Sequence, residues 1–322
     1  MQSKILAASI AASIVTGTAI AQPADYPAKP IRFIVPFPPG GGTDLVARLL
    51  SQKLTERFGQ QVVVDNRGGA NAIIGTDLAA KSAPDGYTMV IALPASVAVN
   101  PSLYRNLPYD PVRDFAPVIQ LNSIVLLLAA HPSLPVNSVS ELVQLAKEKP
   151  GQITFGSSGT GGSSHLAMEL FKIMTKIDMT HVPYKGGGPA LNDLLAGQIN
   201  IYSGTAISLM PFVKAGRLKA FGVASAKRLR SLPDIPAIAE TIPGYASDSW
   251  QGVLMPKGTP SAIVELLNRE IAKIIRSPEV IERLASQGAE PVAGSPAEFG
   301  AYIKAEIAKY SRLIKAAGIK PD

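Results

Sequence analysis

The chain has no cysteine and only three histidines, His131, His165 and His181. Without cysteine it can form no disulfide, offer no thiolate nucleophile and carry no lipid on a cysteine after export. The histidines do not form a ligand pair at helical spacing, so the sequence predicts no zinc site, and we expect neither a metal nor a cofactor. Groups for covalent or metal-assisted catalysis are therefore scarce.

Long hydrophobic runs are also scarce. The nearly uncharged run 5–20 follows Lys4 and leads to the small-x-small site Ala19-Ile20-Ala21, which predicts a cleaved secretory signal peptide over residues 1–21. The apolar stretch 115–130 is too long for one ordinary strand and too short to span a membrane. We therefore expect a diffusible periplasmic monomer without a lipid anchor, and about 300 mature residues predict two domains.

Strong charge clustering is missing as well. The formal charge of +7 is spread along the chain, and its densest cluster, Lys227-Arg228 with Arg230, is not interleaved with aromatic residues. This pattern is typical of a solvated surface, and nucleic acid is an unsuitable partner for an exported protein.

A glycine-rich loop is the most conspicuous feature that is present. Residues 36–44 read Pro-Phe-Pro-Pro-Gly-Gly-Gly-Thr-Asp, after the apolar run 31–35 and before leucines and valines at helical spacing. The pattern predicts a strand–loop–helix corner in which Thr43 or Asp44 caps the helix. Backbone N–H groups at such a corner suit a carboxylate, and a plain tight turn is the alternative. The loop matches neither a P-loop nor a dinucleotide fingerprint.

The same arrangement of strand, loop and helix occurs twice. Strands over 61–66 and 87–92 extend the first unit, and strands over 153–155, 199–202 and 218–224 build a second around the loop 156–163. Strands separated by helices predict an α/β fold with two lobes, each a mainly parallel sheet flanked by helices. Ligands of such sheets lie beyond the carboxyl ends of the strands.

Two crossing strands should join the lobes and act as a hinge. The stretch 115–130 is broken by Asn122-Ser123, and 250–255 is the expected return. We therefore predict one lobe from 22–123 plus 249–322 and another from 124–248, with the glycine loops of both lining the cleft between them.

Two kinds of chemistry fit these loops. The stretch 156–160, Gly-Ser-Ser-Gly-Thr, misses the Gly-x-Ser-x-Gly nucleophile elbow by one position, and His165 could serve as its base, so an exported serine hydrolase is one hypothesis. Binding needs only backbone amides and hydroxyl groups. Because Lys185 is the nearest cation, amide dipoles and water should hold an acid rather than an arginine clamp.

Five motifs resemble those of the Bug family, the substrate-binding receptors of tripartite tricarboxylate transporters. They cover essentially the whole mature chain in family order: Pro36-Phe37-Pro38-Pro39-Gly40-Gly41-Gly42-Thr43-Asp44, Leu107-Pro108-Tyr109-Asp110-Pro111, His181-Val182-Pro183-Tyr184-Lys185-Gly186, Leu232-Pro233-Asp234-Ile235-Pro236 and Trp250-Gln251-Gly252. The resemblance implies a periplasmic-binding-protein fold of the Venus flytrap type II class. It also implies closure on a small organic acid or amino acid and delivery to a membrane permease with a large and a small subunit.

The resemblance also implies the residues that contact the ligand. The first lobe would supply the loop from Phe37 to Asp44, with Gly41, Gly42 and Thr43, and nearby Ser96. The second lobe would supply a set of hydroxyl, amide and ring groups: Ser157, Ser158, Gly159, Thr160, His165, Tyr184 and Thr205. Asp248 would contact a distal group of the ligand. Dicarboxylates, tricarboxylates, acidic amino acids and aromatic acids all fit, and a sensory accessory protein with the same cleft remains an alternative to transport.

Overall fold

The computed structural model describes residues 26–40, 42–184, 186–229, 231–286 and 288–319. The predicted signal peptide, Gly41 and Lys185 lie outside these residues. Within them, no helix combines the length and the apolar character needed to cross a bilayer.

The strands form two separate sheets, of six and five strands. In chain order they are β1 (Ile31–Val35), β2 (Val62–Asn66), β3 (Thr88–Ala92), β4 (Phe115–Ile124), β5 (Leu126–Ala130), β6 (Thr154–Ser157), β7 (Thr180–Pro183), β8 (Ile201–Thr205), β9 (Lys219–Val223), β10 (Ser249–Pro256) and β11 (Ala289–Pro291). The first sheet has the order β11-β4-β10-β3-β1-β2 and the second β7-β6-β8-β5-β9. We call the parts built on them the first and the second lobe.

Helices flank both sheets. They are α1 (Gly42–Phe58), α2 (Ile73–Ala80), α3 (Asn100–Leu103), α4 (Val139–Glu148), α5 (Ser163–Thr175), α6 (Gly187–Leu195), α7 (Ala206–Lys214), α8 (Ser261–Ile275), α9 (Pro278–Ser286) and α10 (Pro296–Ala316). A π-helical turn, Ala95–Val99, precedes α3, and a short 3-10 turn spans Ile238–Glu240. The two-lobed α/β fold predicted from the sequence is confirmed.

Both sheets are mixed, whereas the sequence predicts mainly parallel ones. Parallel pairing joins β1 to β2 and β3 in the first lobe, and β6 to β7 and β8 in the second. The strands next to the crossings run the other way: β10 is antiparallel to β3 and β4, and β5 is antiparallel to β8 and β9. A parallel neighbour needs a long crossover connection, whereas strands that leave or enter a lobe directly can pair antiparallel.

The first crossing lies later in the chain than the sequence predicts. Asn122 and Ser123 do not break the strand but belong to β4, which pairs with β10. Asn122 is fully buried, and its Nδ2 donates to Gln251 Oε1 at 2.9 Å across the ladder, so these polar residues are compatible with a central strand. The break falls at Val125, whose N–H donates to Gly288 O and whose carbonyl accepts from the N–H of Ala206.

Each lobe has its own core. In the first, buried Phe33 of β1 packs with the α1 residues Val46, Leu50 and Leu54, which recur at helical spacing. In the second, Phe155 of β6 is buried in a cluster under α4 and α5. Fully burying one such side chain stabilises a fold by about 1.5–3 kcal/mol.

The last helix links the two lobes. Ser295 caps α10 by accepting from the Glu298 N–H, and Glu298 accepts from the Ser295 N–H in return, which is a capping box. The C-terminal half of α10 packs on Val99 of the first lobe and on Leu166 of the second through Tyr310, Leu313 and Ile314.

Candidate functional site

A cavity of about 260 Å³ lies between the lobes. The first lobe lines it with Phe37, Asn71, Leu93, Pro94, Ala95 and Val99. The second lobe contributes Ser158, Gly161, Gly162, Ser163 and Leu166, and Ser249 and Tyr310 complete the lining. The cavity is at the small end of ligand-binding pockets, which suits a small molecule.

The β1–α1 corner forms one side of the cavity through Phe37. Behind it, Asp44 is 2% exposed, and its carboxylate accepts from Gly40 N–H at 2.9 Å, Arg48 Nε at 2.9 Å and Asn66 Nδ2 at 2.9 Å. Burial acts to raise the pKa of Asp44, but these hydrogen bonds outweigh it and lower the pKa to about 2. The carboxylate is therefore charged at neutral pH, fixes the loop and accepts the hydrogen bond of one loop amide, Gly40 N–H.

The two neighbours of Asp44 in the predicted site lie at the helix start. Gly42 is exposed, and Thr43 Oγ1 accepts from Gln251 Nε2 at 3.2 Å, which ties the corner to β10. Of the predicted residues of this loop, Phe37 lines the cavity, whereas Gly42, Thr43 and Asp44 are not among its lining residues.

The turn before α2 brings an unpredicted residue, Asn71, to the cavity. Ala70, Asn71 and Ala72 are consecutive left-handed residues with φ of 44°, 50° and 71°. Non-glycine residues adopt this conformation at a cost of about 1–3 kcal/mol each, so surrounding structure must hold them. Buried Asn100 does so: its Nδ2 donates to Asn71 O at 2.9 Å, and its Oδ1 accepts from Asn71 Nδ2 at 2.8 Å. Sequence pattern carries no signal for such a turn.

Ser96 follows β3 but turns its hydroxyl away from the cavity. It is fully buried, and its Oγ donates to Leu93 O at 3.0 Å and accepts from Leu93 N–H at 3.1 Å. Ser96 thus closes the turn that presents Leu93, Pro94 and Ala95 to the cavity. The sequence identified the corner, while the contact is made by its apolar neighbours.

In the second lobe, the start of α5 faces the cavity with polar groups. Ser158 N–H donates to Ser164 Oγ at 2.8 Å, and the two hydroxyls lie 2.9 Å apart, so the loop folds back on the first turn of the helix. The first N–H groups of a helix have no intrahelical acceptor and carry the positive end of its dipole. Gly162 and Ser163 line the cavity at this point, which makes it a suitable place for a carboxylate.

A stack of three rings supports this loop from behind. His181 stacks against both Phe155 and His165, with ring centroids 4.9 Å and 4.0 Å away, and the Phe155 and His165 centroids are 6.4 Å apart. His181 Nε2 bonds Ser157 Oγ at 2.6 Å, and His165 Nδ1 accepts from the Gly161 N–H at 3.1 Å. The imidazoles therefore fix both ends of the loop that carries Ser158 and Gly161.

Both imidazoles are neutral at neutral pH. Burial lowers the pKa of His165 to about 4, and nearby Lys172 acts in the same direction. Burial also lowers the pKa of His181 to about 4, with a contribution from His165. A neutral His165 can accept the Gly161 hydrogen bond through Nδ1, and its Nε2 lies 3.8 Å from Glu169 Oε1.

The Ser157–His181 pair bears on the hydrolase hypothesis. The structure pairs Ser157 with His181 rather than with His165, the base suggested from the sequence. Ser157 is the last residue of β6, is fully buried and also receives the Gly159 N–H on its Oγ at 3.2 Å. A nucleophile must reach a substrate atom, and this hydroxyl does not line the cavity.

The remaining predicted residues lie around the cavity without lining it. Gly159 adopts a φ of 134°, and Thr160 is exposed. Tyr184 donates its hydroxyl to Asp193 Oδ2 at 2.7 Å, and Thr205 donates to Ser208 Oγ at 3.0 Å. Among the residues that the structure describes, Ser158 and Phe37 are thus the predicted residues that line the cavity itself.

Asp248 lies at the return crossing beside β4. Burial raises its pKa to about 6, while Lys309 and a hydrogen bond from Ser123 act to lower it. Its Oδ1 is buried without a hydrogen-bond partner. Its neighbour Ser249 lines the cavity, but Asp248 does not.

The comparisons with known proteins agree with this architecture. Residues 46–319 match the family described as "Tripartite tricarboxylate transporter family receptor". BugT of Bordetella pertussis is 39% identical over 297 residues, which cover 92% of this chain and 91% of BugT.

Solved structures show the same similarity. R. palustris Rpa4515 with adipate is 40% identical, with a TM-score of 0.82 over 92% of this chain and 100% of that one. MatC from Rhodopseudomonas palustris with bound malate is 29% identical, with a TM-score of 0.76 over 90% of this chain and 100% of that one.

Proposed function

This chain belongs to the tripartite tricarboxylate transporter receptor family, and from that premise we propose that it is a periplasmic receptor for a small organic acid. It captures the acid in the cavity between the lobes and delivers it to a membrane permease with a large and a small subunit. The signal peptide over residues 1–21 directs its export, and no cofactor takes part.

The observation that carries this proposal is the position of the cavity. It lies between two lobes, at the start of α5, where amides and hydroxyls are available for an acid. Rpa4515 with adipate and MatC with malate support a carboxylate as the ligand.

We further propose that some residues of the site contact the ligand and that others only hold the loops in place. Phe37, Ser158 and Ser163 contact the ligand, together with the amides around Gly162. Other predicted residues fix the loops from behind through hydrogen bonds: Asp44, Ser96, Ser157, His165, Tyr184 and Thr205.

Ligand binding is tested by thermal unfolding of the mature protein with organic acids, amino acids and neutral sugars. A ligand at a hundred times its Kd stabilises the folded form by about 2.7 kcal/mol, which raises Tm by several degrees. One class of acid should raise Tm and be recovered unchanged. Stabilisation by sugars alone would contradict the proposal, and conversion of the acid to a product would favour the hydrolase.

A matched pair of variants locates the binding. Ser163→Ala removes a hydroxyl at the cavity and should weaken binding of the identified acid by about tenfold. Ser140→Ala makes the same change on the exposed side of α4 in the same lobe and should leave the affinity unchanged. Equal effects of the two variants would contradict this placement.

Delivery to a permease needs a separate test. Deleting the gene should abolish uptake of the labelled acid at low external concentration. Unchanged uptake together with a lost transcriptional response to the acid would favour the sensory alternative.

We also propose that the two lobes, divided at Val125 and just before β10 rather than at the predicted bounds 22–123 plus 249–322 and 124–248, close on the ligand. The chain crosses between the sheets near Val125 and again before β10, and such short segments can absorb the rotation. Small-angle scattering should show a smaller radius of gyration at saturation with the acid. An unchanged radius would count against closure.

A further inference from the structure

The walls of the cavity differ in polarity. On the first lobe, Phe37, Leu93, Pro94, Ala95 and Val99 form a mainly apolar wall, which Asn71 and Ser249 interrupt. On the second lobe, the hydroxyls of Ser158 and Ser163 and the backbone around Gly162 form a polar one. A ligand that contacts both lobes therefore meets hydrogen-bond donors at one side and carbon atoms at the other.

The apolar side continues into a packed cluster. Val99, Leu166 and Tyr310 line the cavity and also belong to the apolar cluster in which the first lobe, the second lobe and α10 meet. Val99 is 1% exposed and Leu166 is fully buried, so little water reaches this end of the cavity. A polar group of the ligand placed here would lose its hydration without gaining a partner.

Charged side chains do not line the cavity in the part of the chain that the structure describes. Amides and hydroxyls at the start of α5 can hold one carboxylate. A second and a third carboxylate deep in the same cavity would be desolvated with no cation among the described lining residues to oppose them, which is costly. Asn71 is uncharged and cannot serve as the opposing cation, and its Nδ2 already donates to Asn100 Oδ1.

We propose, on the basis of the proposed receptor function, that the ligand is a carboxylic acid with an apolar aliphatic or aromatic body. The carboxylate binds at the start of α5, and the body packs against Phe37, Leu93 and Val99. Hydroxylated di- and tricarboxylates are disfavoured because they present polar groups to the apolar wall.

Three acids with six carbons test this directly: hexanoate, adipate and citrate. Calorimetric titration of the mature protein should give a Kd for hexanoate at least tenfold below those for adipate and citrate, which carry further carboxylates. Benzoate should bind like hexanoate, and malate like citrate. Tighter binding of adipate, citrate or malate than of hexanoate and benzoate would overturn the inference but leave the receptor function intact. Binding of none of these acids, nor of any other in the thermal panel, would overturn both.

Phe37 provides an independent test. Phe37→Ser should weaken binding of the favoured acid by about tenfold, because it removes part of the apolar wall, and Phe37→Leu should restore most of the affinity. Phe58→Ser is the matched control: Phe58 is also partly buried against the first-lobe core, but at the far end of α1. Equal affinity of the serine and leucine variants at position 37 would contradict contact with an apolar body.

Discussion

The ring stack behind the second-lobe loop predicts a specific dependence of stability on pH. In the unfolded chain a histidine has its ordinary pKa of about 6.5, whereas burial lowers the pKa of His165 to about 4 in the folded protein. As the pH falls below about 6.5, this imidazole therefore binds a proton in the unfolded chain but stays neutral in the folded protein. The free energy of unfolding must decrease until the folded protein is protonated as well, near pH 4.

The magnitude follows from the same difference. His165 is 4% exposed, so solvent screens its environment little, and the full difference corresponds to about 3 kcal/mol. The other titratable groups that face it are Glu169, Lys172 and His181; Lys172 also lowers the pKa of His165, and burial lowers the pKa of His181 to about 4 as well. The loss should be complete below about pH 4 and absent above about pH 6.5.

Urea unfolding of wild type and His165→Asn between pH 7 and pH 4.5 measures this contribution. Asparagine keeps an acceptor for the Gly161 N–H but cannot take up the proton, so the variant should lose stability less steeply with acidification. His131→Asn makes the same change outside the stack and is the control. Identical pH dependence of wild type and His165→Asn would refute the reasoning.

Three further predictions concern groups around the cavity. Asp44→Ala should lower the free energy of unfolding by about 2–4 kcal/mol, because it leaves the Gly40 amide and two side-chain donors without their acceptor; unchanged urea unfolding would contradict this. Asn100→Ala should weaken ligand binding by at least tenfold, because it releases the left-handed turn that positions Asn71; unaltered affinity in calorimetric titration would show that the turn does not need Asn100. Asp248→Asn should stabilise the protein at pH 7 by about 3 kcal/mol, because burial raises the pKa of this carboxyl to about 6 and ionisation is then unfavourable. The gain should disappear between pH 6 and pH 4, and a pH-independent gain would contradict the assigned cause.

The fold was largely predictable because its signals are local. The capping residues Ser138 and Ser295, the apolar run of β1 and the helical spacing in α8 all act within a few residues of one another. The exact crossing point was not predictable, since Asn122 is polar yet buried by pairing with Gln251, distant in sequence.

The location of the site was predictable from the sequence, but the side-chain contacts within it were not. The glycine loops identified the corners, but the orientation of each side chain depends on partners far along the chain. Ser157 bonds His181, and Ser96 turns back on its own corner, so neither hydroxyl reaches the cavity. The left-handed turn at Asn71 depends on Asn100, a pairing that hydrophobic periodicity cannot reveal.

A crystal structure of the mature protein with a bound acid from the favoured class would test the central claim most directly. Our account predicts the carboxylate within hydrogen-bond distance of Ser158, Ser163 and the amides around Gly162, with the body of the ligand against Phe37 and Val99. An acid bound outside the cavity between the lobes, or with its carboxylate on the first-lobe wall, would contradict it.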